Sequence, residues 1–188
     1  ATISRNGDLI HKMYVTIENL TTGIDQGSKL VKEAELEIGG QKIDRHYEEW
    51  NTIWNELSTT ESKAIGLKSM IGDIGDGGST GVKMTQFPLN FWFCRNPGLA
   101  LPLIALQYHE VKVTLRFLAA ATNVTDAVDA TAVVLDNKVS LWADYIYLDT
   151  DERRRFAQVS HEYLIEQLQF ESKGGTTPTN FDLNFNHP

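Results

Sequence analysis

The feature that most constrains this chain is a two-residue rhythm of apolar side chains that recurs in segment after segment. Met13, Val15 and Ile17 alternate with Lys12, Tyr14, Thr16 and Glu18, and Ala34, Leu36 and Ile38 alternate with Glu33, Glu35 and Glu37. Successive side chains of an extended backbone point to opposite faces, so both segments read as strands with one dry face and one wet face. Phe87, Leu89, Phe91 and Phe93 form a third series, and Val111, Val113, Leu115 and Phe117, set against Lys112, Thr114 and Arg116, form a fourth. These four series carry the expected core. Gly39-Gly40 supplies the positive φ angles of a two-residue hairpin turn, which sets Ile38 opposite Gln41 and Leu36 opposite Ile43. That register keeps Leu36 and Ile43 on one face.

Other segments refine the picture. Val139 to Leu148 is rich in strand-forming residues but apolar on both faces (Leu141, Trp142, Tyr145, Ile146), the pattern of a strand covered on both sides. Leu164 to Phe170 reads as a further strand. Tyr47, Trp50, Trp54 and Leu57 recur at three- and four-residue steps and predict an amphipathic helix of about three turns. Asp151 to Gln158 predicts a short helix whose acidic residues sit at the positive end of its dipole. Thr21 to Val31, Ser58 to Val82 and Ala119 to Asp136 read as long loops, the second holding the glycine-rich stretch Gly72 to Gly81. Many strands with short helices and polar loops predict an all-β fold, an antiparallel sandwich. If successive strands run antiparallel, the three long loops gather at one end, and the Cys94 to Tyr108 connection shares the other end with the Gly39-Gly40 turn.

Composition narrows the function. The chain has 188 residues, enough for one sizeable core, with 41% hydrophobic and 22% charged residues, an ordinary globular mixture. Its formal net charge of -8 argues against direct nucleic-acid binding, which needs clustered Lys and Arg to displace counterions. Cys94, the single cysteine, has no partner for an internal disulfide or a thiolate metal site, which favours a reducing compartment. No apolar run approaches the roughly 20 residues of a membrane-spanning helix, and the opening ATISRNGDLI lacks the features of a signal peptide. The absence of an initiator methionine and the abrupt end at NFNHP lead us to expect an excerpt of a longer polypeptide.

Candidate chemistry is sparse. The Gly72 to Gly81 loop lacks the Gly-Lys-Ser/Thr ending of a phosphate cradle, since Lys83 leads into a strand. Asp73 and Asp76 lack the alternating oxygen ligands and final Glu of a calcium loop. His11, His46, His109, His161 and His187 show no zinc spacing and read as surface or packing residues, and neither Ser160-His161 nor Cys94 belongs to a visible catalytic constellation. Glu48-Glu49 reads as the solvated face of the tryptophan helix. Arg153, Arg154 and Arg155 form the one basic run, compensated by Asp149, Asp151 and Glu152 unless it docks on an acidic surface. Asn19-Leu20-Thr21 and Asn123-Val124-Thr125 are glycosylation sequons, giving Asn19 and Asn123 as acceptors only on a secretory route. No catalytic residue, metal ligand or cofactor is expected.

Several long strings resemble the major capsid proteins of the nucleocytoplasmic large DNA viruses, the algal-virus and giant-virus group. They are ISRNGDLI at Ile3 to Ile10, ELEIGGQKIDRHYEEW at Glu35 to Trp50, PGLALPLIALQYHEVKVTL at Pro97 to Leu115, and WADYIYLDTDERRRFAQVSHEYLIEQLQF at Trp142 to Phe170, followed by LNFNHP at Leu183 to Pro188. The three long loops carry no resemblance. Members of that family contain two consecutive eight-stranded jelly rolls, and three copies join into a pseudo-hexameric capsomer that tiles an icosahedral shell. The resemblance implies an internal segment of such a protein. Residues 1–156 would be a first jelly roll lacking its first strand, 157–161 a linker, and 162–188 the opening strands of a second. The faint echo between ISRN and LNFN would then mark one position in two duplicated domains.

The implied function is structural: a subunit of the virion shell, assembled in the host cytoplasm as a homotrimer that contacts neighbouring capsomers and minor capsid proteins, with no enzymatic activity. The alternative is a jelly-roll carbohydrate-binding module. An exposed aromatic in a shallow groove would favour it. Trp92 and Trp142 are the candidates, although their place in strands predicts burial for both.

Overall fold

The computed structural model describes residues 1–18, 31–71, 84–117, 139–172 and 182–185. Its elements run β1 (Leu9–Glu18), β2 (Val31–Ile38), β3 (Gln41–Tyr47), α1 (Glu48–Ser58), α2 (Glu61–Ile71), β4 (Met84–Pro88), α3 (Trp92–Arg95), β5 (Leu101–Pro102), β6 (Val111–Phe117), β7 (Val139–Ile146) and α4 (Thr150–Gln158). Two antiparallel sheets form a jelly-roll sandwich. In one, β1 lies between β7 on one side and β4 and β5 on the other; in the second, β2 lies between β3 and β6.

The period-two rhythm does what it predicts. Met13, Val15 and Ile17 of β1, Ala34 and Leu36 of β2, and Val111 and Val113 of β6 are buried in one core cluster with Phe87, Leu89, Phe91 and Phe93. Burying each large side chain contributes about 1.5–3 kcal/mol, which makes this cluster the main source of stability. The four apolar residues of the third series do not all lie on a strand, however. β4 ends at Pro88, which has no N–H to offer the ladder; Leu89 N donates once more to Met13 O, and the chain then turns into α3. All four side chains still reach the core.

The hairpin also departs from the simple register. Gly39 and Gly40 have φ of +61° and +83°, as a tight turn requires, and Ile38 does pair with Gln41. Between Leu36 and Glu37 a bulge shifts the ladder, so Leu36 faces Asp44 and not Ile43. The shift turns Asp44 and His46 inward, where both are buried.

α1 spans three turns as expected, with Glu48 and Glu49 at its positive end. Its stripe is only half used: Trp50 and Trp54 pack against each other at 5.7 Å, but Leu57 is exposed and Asn51 is the residue that is fully buried. Residues 58–82, expected to be loop, contain the helix α2. Ala64, Leu67 and Ile71 recur at three- and four-residue steps and are at least partly covered, whereas Ile65 lies off that face and is 82% exposed, which weakens the helical signal.

β7 corrects a further expectation. It stops at Ile146, and its partly exposed residues show that it is not covered on both faces. Trp142 is 59% exposed on its outer face, whereas Trp92, at the start of α3, is buried. Residues 164–170 form no strand; they run beside β3 without a backbone ladder.

Within each sheet, the strand ends that flank the long connections lie together. Glu18 pairs with Met84 and Ile17 with Val139 at one end of the first sheet, while Val31 pairs with Phe117 at one end of the second. At the other end Gly39 N donates to Glu110 O, beside the turn that follows β5. Of the connections themselves, residues 19–30, 72–83 and 118–138, including Gly77 and Asn123, lie outside the described residues.

Candidate assembly surfaces

Long-range side-chain contacts gather where the chain enters and leaves the sandwich. The segment ISRNGD is a knot of side-chain contacts. Ile3 N donates to Val111 O, and the Arg5 guanidinium donates to the carbonyl oxygens of Leu106 (2.8 Å), His109 (2.9 Å) and Gln107, clamping the turn before β6. A Cβ on Gly7 would come within 2.6 Å of Tyr145 Cβ, so only glycine lets this segment lie against β7.

Asp8 then ties β1 to α4. Its Oδ2 accepts from Leu148 N at 2.8 Å and from Arg153 Nη2 at 3.0 Å. The Leu148 N–H, opposed by burial and helped by Arg153, holds the Asp8 carboxyl below the ordinary carboxylate range. Asp149 caps α4 by accepting from Thr150 N. The basic run is thus divided: Arg153 pairs with Asp8, 145 residues away, and Arg154 with Asp151 at 3.8 Å.

Beyond α4 the chain crosses to the sheet of β2, β3 and β6. His161 stacks on Phe156 at 4.9 Å, with Nε2 2.7 Å from Phe156 O. Glu166 pairs with Arg95, whose guanidinium lies 3.9 Å over the Trp54 ring. Gln167 Nε2 donates to Ile43 O, Leu168 N donates to Asp44 Oδ1 at 3.0 Å, and Phe170 packs on Tyr47 at 4.6 Å. Asn184 N donates to Glu171, which keeps residues 182–185 beside the same strand. An apolar groove of about 440 Å³, walled by Ile38, Ile43, Leu101, Leu106, Phe156 and Ile165, separates this segment from the sandwich.

The remaining candidates are bystanders. His11 is buried with Nδ1 2.8 Å from Phe93 O, and His109 packs against Gly39. Cys94 is free, and burial pushes its thiol up to about 12. Asn19, Asn123, Asp73, Asp76 and His187 lie outside the described residues. Among the described residues no three His, Cys, Asp or Glu side chains gather as a metal site, and no helix is long and apolar enough to cross a membrane. Sequence reasoning missed Arg5, Asp8 and Asp44, because each works on a partner far along the chain or depends on the bulge, while His46, read as a surface or packing residue, packs in the core.

The comparisons with known proteins fall on the same architecture. The family described as "Major capsid protein N-terminus" matches residues 1–149. The major capsid protein of Pyramimonas orientalis virus is 53% identical over 99% of this chain and 48% of its own length, and capsid protein 1 of Acanthamoeba polyphaga mimivirus is 42% identical over 100% of this chain and 38% of its own. The chain therefore spans about half the length, or less, of these curated relatives. The crystal structure of PBCV-1 VP54, fitted into a cryo-EM reconstruction of the virophage Sputnik, superposes with a TM-score of 0.73 at 42% identity, covering 89% of this chain and 42% of that one. A shared fold at this identity, along nearly the whole chain, is common descent and not convergence on a sandwich, and so the chain belongs to the major capsid protein family, within its N-terminal part.

Proposed function

We propose that this chain is part of a structural subunit of an icosahedral virus shell and that its work is geometric, with no catalytic turnover and no cofactor. The observation that carries this reading is the 53% identity to a major capsid protein along 99% of the chain. In this reading residues 1–156 are a first jelly roll, 157–161 a linker and 162–188 the opening of a second. Three copies form a pseudo-hexameric capsomer that abuts neighbouring capsomers and minor capsid proteins, assembles in the host cytoplasm and ends in the virion.

The test is the association state of the purified intact protein, by sedimentation and negative-stain imaging. A discrete trimer with a six-lobed outline is expected, and a stable monomer at all concentrations overturns the reading. One observation favours the alternative, a carbohydrate-binding module: Trp142 lies exposed in a shallow groove with Tyr14, Met84 and Gln86. Saturable binding of an oligosaccharide by a monomer, lost on Trp142→Ala, would establish it.

A further inference from the structure

We propose that the outer face of the β1 sheet, centred on Trp142, is the surface through which this protein packs against a second copy of itself. The inference rests on the capsid reading and names the face that reading leaves open.

The face has the anatomy of an interface. Its middle registers are uncharged: Tyr14 is flanked by Pro88 and Trp142, and Thr16 by Gln86 and Ser140. Met84 and Trp142 are 43% and 59% exposed, and charge returns only at the two ends, with Lys12 and Asp144 at one and Glu18 at the other. An apolar, aromatic centre with a charged margin is the usual composition of a protein contact, and tryptophan is the residue type most enriched among those that carry binding energy. The Trp142 indole N–H is already spent on Thr16 Oγ1 at 3.0 Å, and this bond fixes the ring before any partner arrives.

The opposite sheet is built otherwise. Its outer face is a ladder of ion pairs, with Arg45 to Glu33 (3.0 Å) and Glu35 (2.5 Å), Lys42 to Glu35 (3.0 Å) and Arg116 to Glu33 (3.4 Å). The route of the chain then selects the occupant. Residues 167–171 and 184–185 lie along β3, on the sheet facing away from Trp142, so the segment described after α4 does not cover the Trp142 face. The Trp142 face is left to another molecule, and for a shell protein that molecule is a further copy.

Sedimentation velocity on the intact protein tests this. Trp142→Arg, at an exposed position, is expected to fold and to weaken association at least tenfold, whereas Thr114→Arg, exposed on the opposite sheet, leaves association within twofold of the unaltered protein. A folded Trp142→Arg protein that associates normally overturns this inference and leaves the capsid reading standing; an unaltered protein that never associates overturns both. If Trp142→Arg does not fold, hydroxyl-radical labelling of the unaltered protein decides the matter. Oxidation of Trp142 should fall at least fivefold on association. Equal labelling in both states, or protection already present in the dilute monomer, overturns the inference.

Discussion

His46 Nε2 lies 2.8 Å from Asp44 Oδ2, and both side chains are almost wholly buried, on a strand whose neighbouring residues face out. The bulge opposite Leu36 brings them inward, and the pair then serves two elements. His46 stacks on Phe91 at 4.8 Å, inside the core, while Asp44 Oδ1 accepts from Leu168 N, holding the segment that leaves the sandwich.

Removing one member of such a pair leaves the other buried without its hydrogen-bond partner, which costs about 1–3 kcal/mol. Asp44→Ala is therefore expected to lower unfolding stability by that amount. Asp44→Asn, which keeps an acceptor for Leu168 N, should cost less. Urea unfolding of the two variants checks the order, and limited proteolysis between residues 159 and 172 should accelerate more in Asp44→Ala.

The hairpin glycines are not equivalent. Both have positive φ, but a Cβ at Gly39 would meet His109 Nδ1 at 2.6 Å, whereas one at Gly40 would meet nothing within 4 Å. Backbone strain of order 1–3 kcal/mol applies to both substitutions, and the clash only to the first. Gly39→Ala should melt below Gly40→Ala, and adding His109→Ala should close most of the gap.

Acid should loosen α4. The Asp8 carboxyl titrates below its ordinary value of about 3.9, so its ionised form favours the folded state. The stabilisation is complete above pH ~4 and is lost as pH falls through the lower folded-state value. Asp8→Asn should therefore be less stable than the unaltered protein at neutral pH, and its stability should fall less steeply below pH 4. Denaturation midpoints measured from pH 7 to pH 2 give both slopes.

Cys94 should be inert while the protein is folded. With the thiol pushed up to about 12 by burial, almost no thiolate exists at pH 8. A disulfide reagent is expected to label native protein at least a hundredfold more slowly than protein in urea; comparable rates would contradict the packing around α3.

What the sequence determined by itself was local. The alternation around Val15, Leu36 and Val113 named the strands and their inner faces, because a period of two is a property of the extended backbone and needs no partner. Gly39-Gly40 named the turn for the same reason, and Trp50 with Trp54 named a helix. What only the tertiary structure decided depends on neighbours. The bulge that carries Asp44 and His46 inward arises between paired strands, and the exposure of Trp142 depends on what packs over the outer face of its sheet and not on the residue's own preference. Phe91 and Phe93 keep the spacing of a strand yet reach the core from a turn and a helix, since burial rewards where a side chain ends up and not the backbone that delivers it. The contacts of Asp8 with Arg153 and of Asp44 with Leu168 join residues more than a hundred positions apart, and no local pattern encodes a pairing whose partners are brought together only by the closed sandwich.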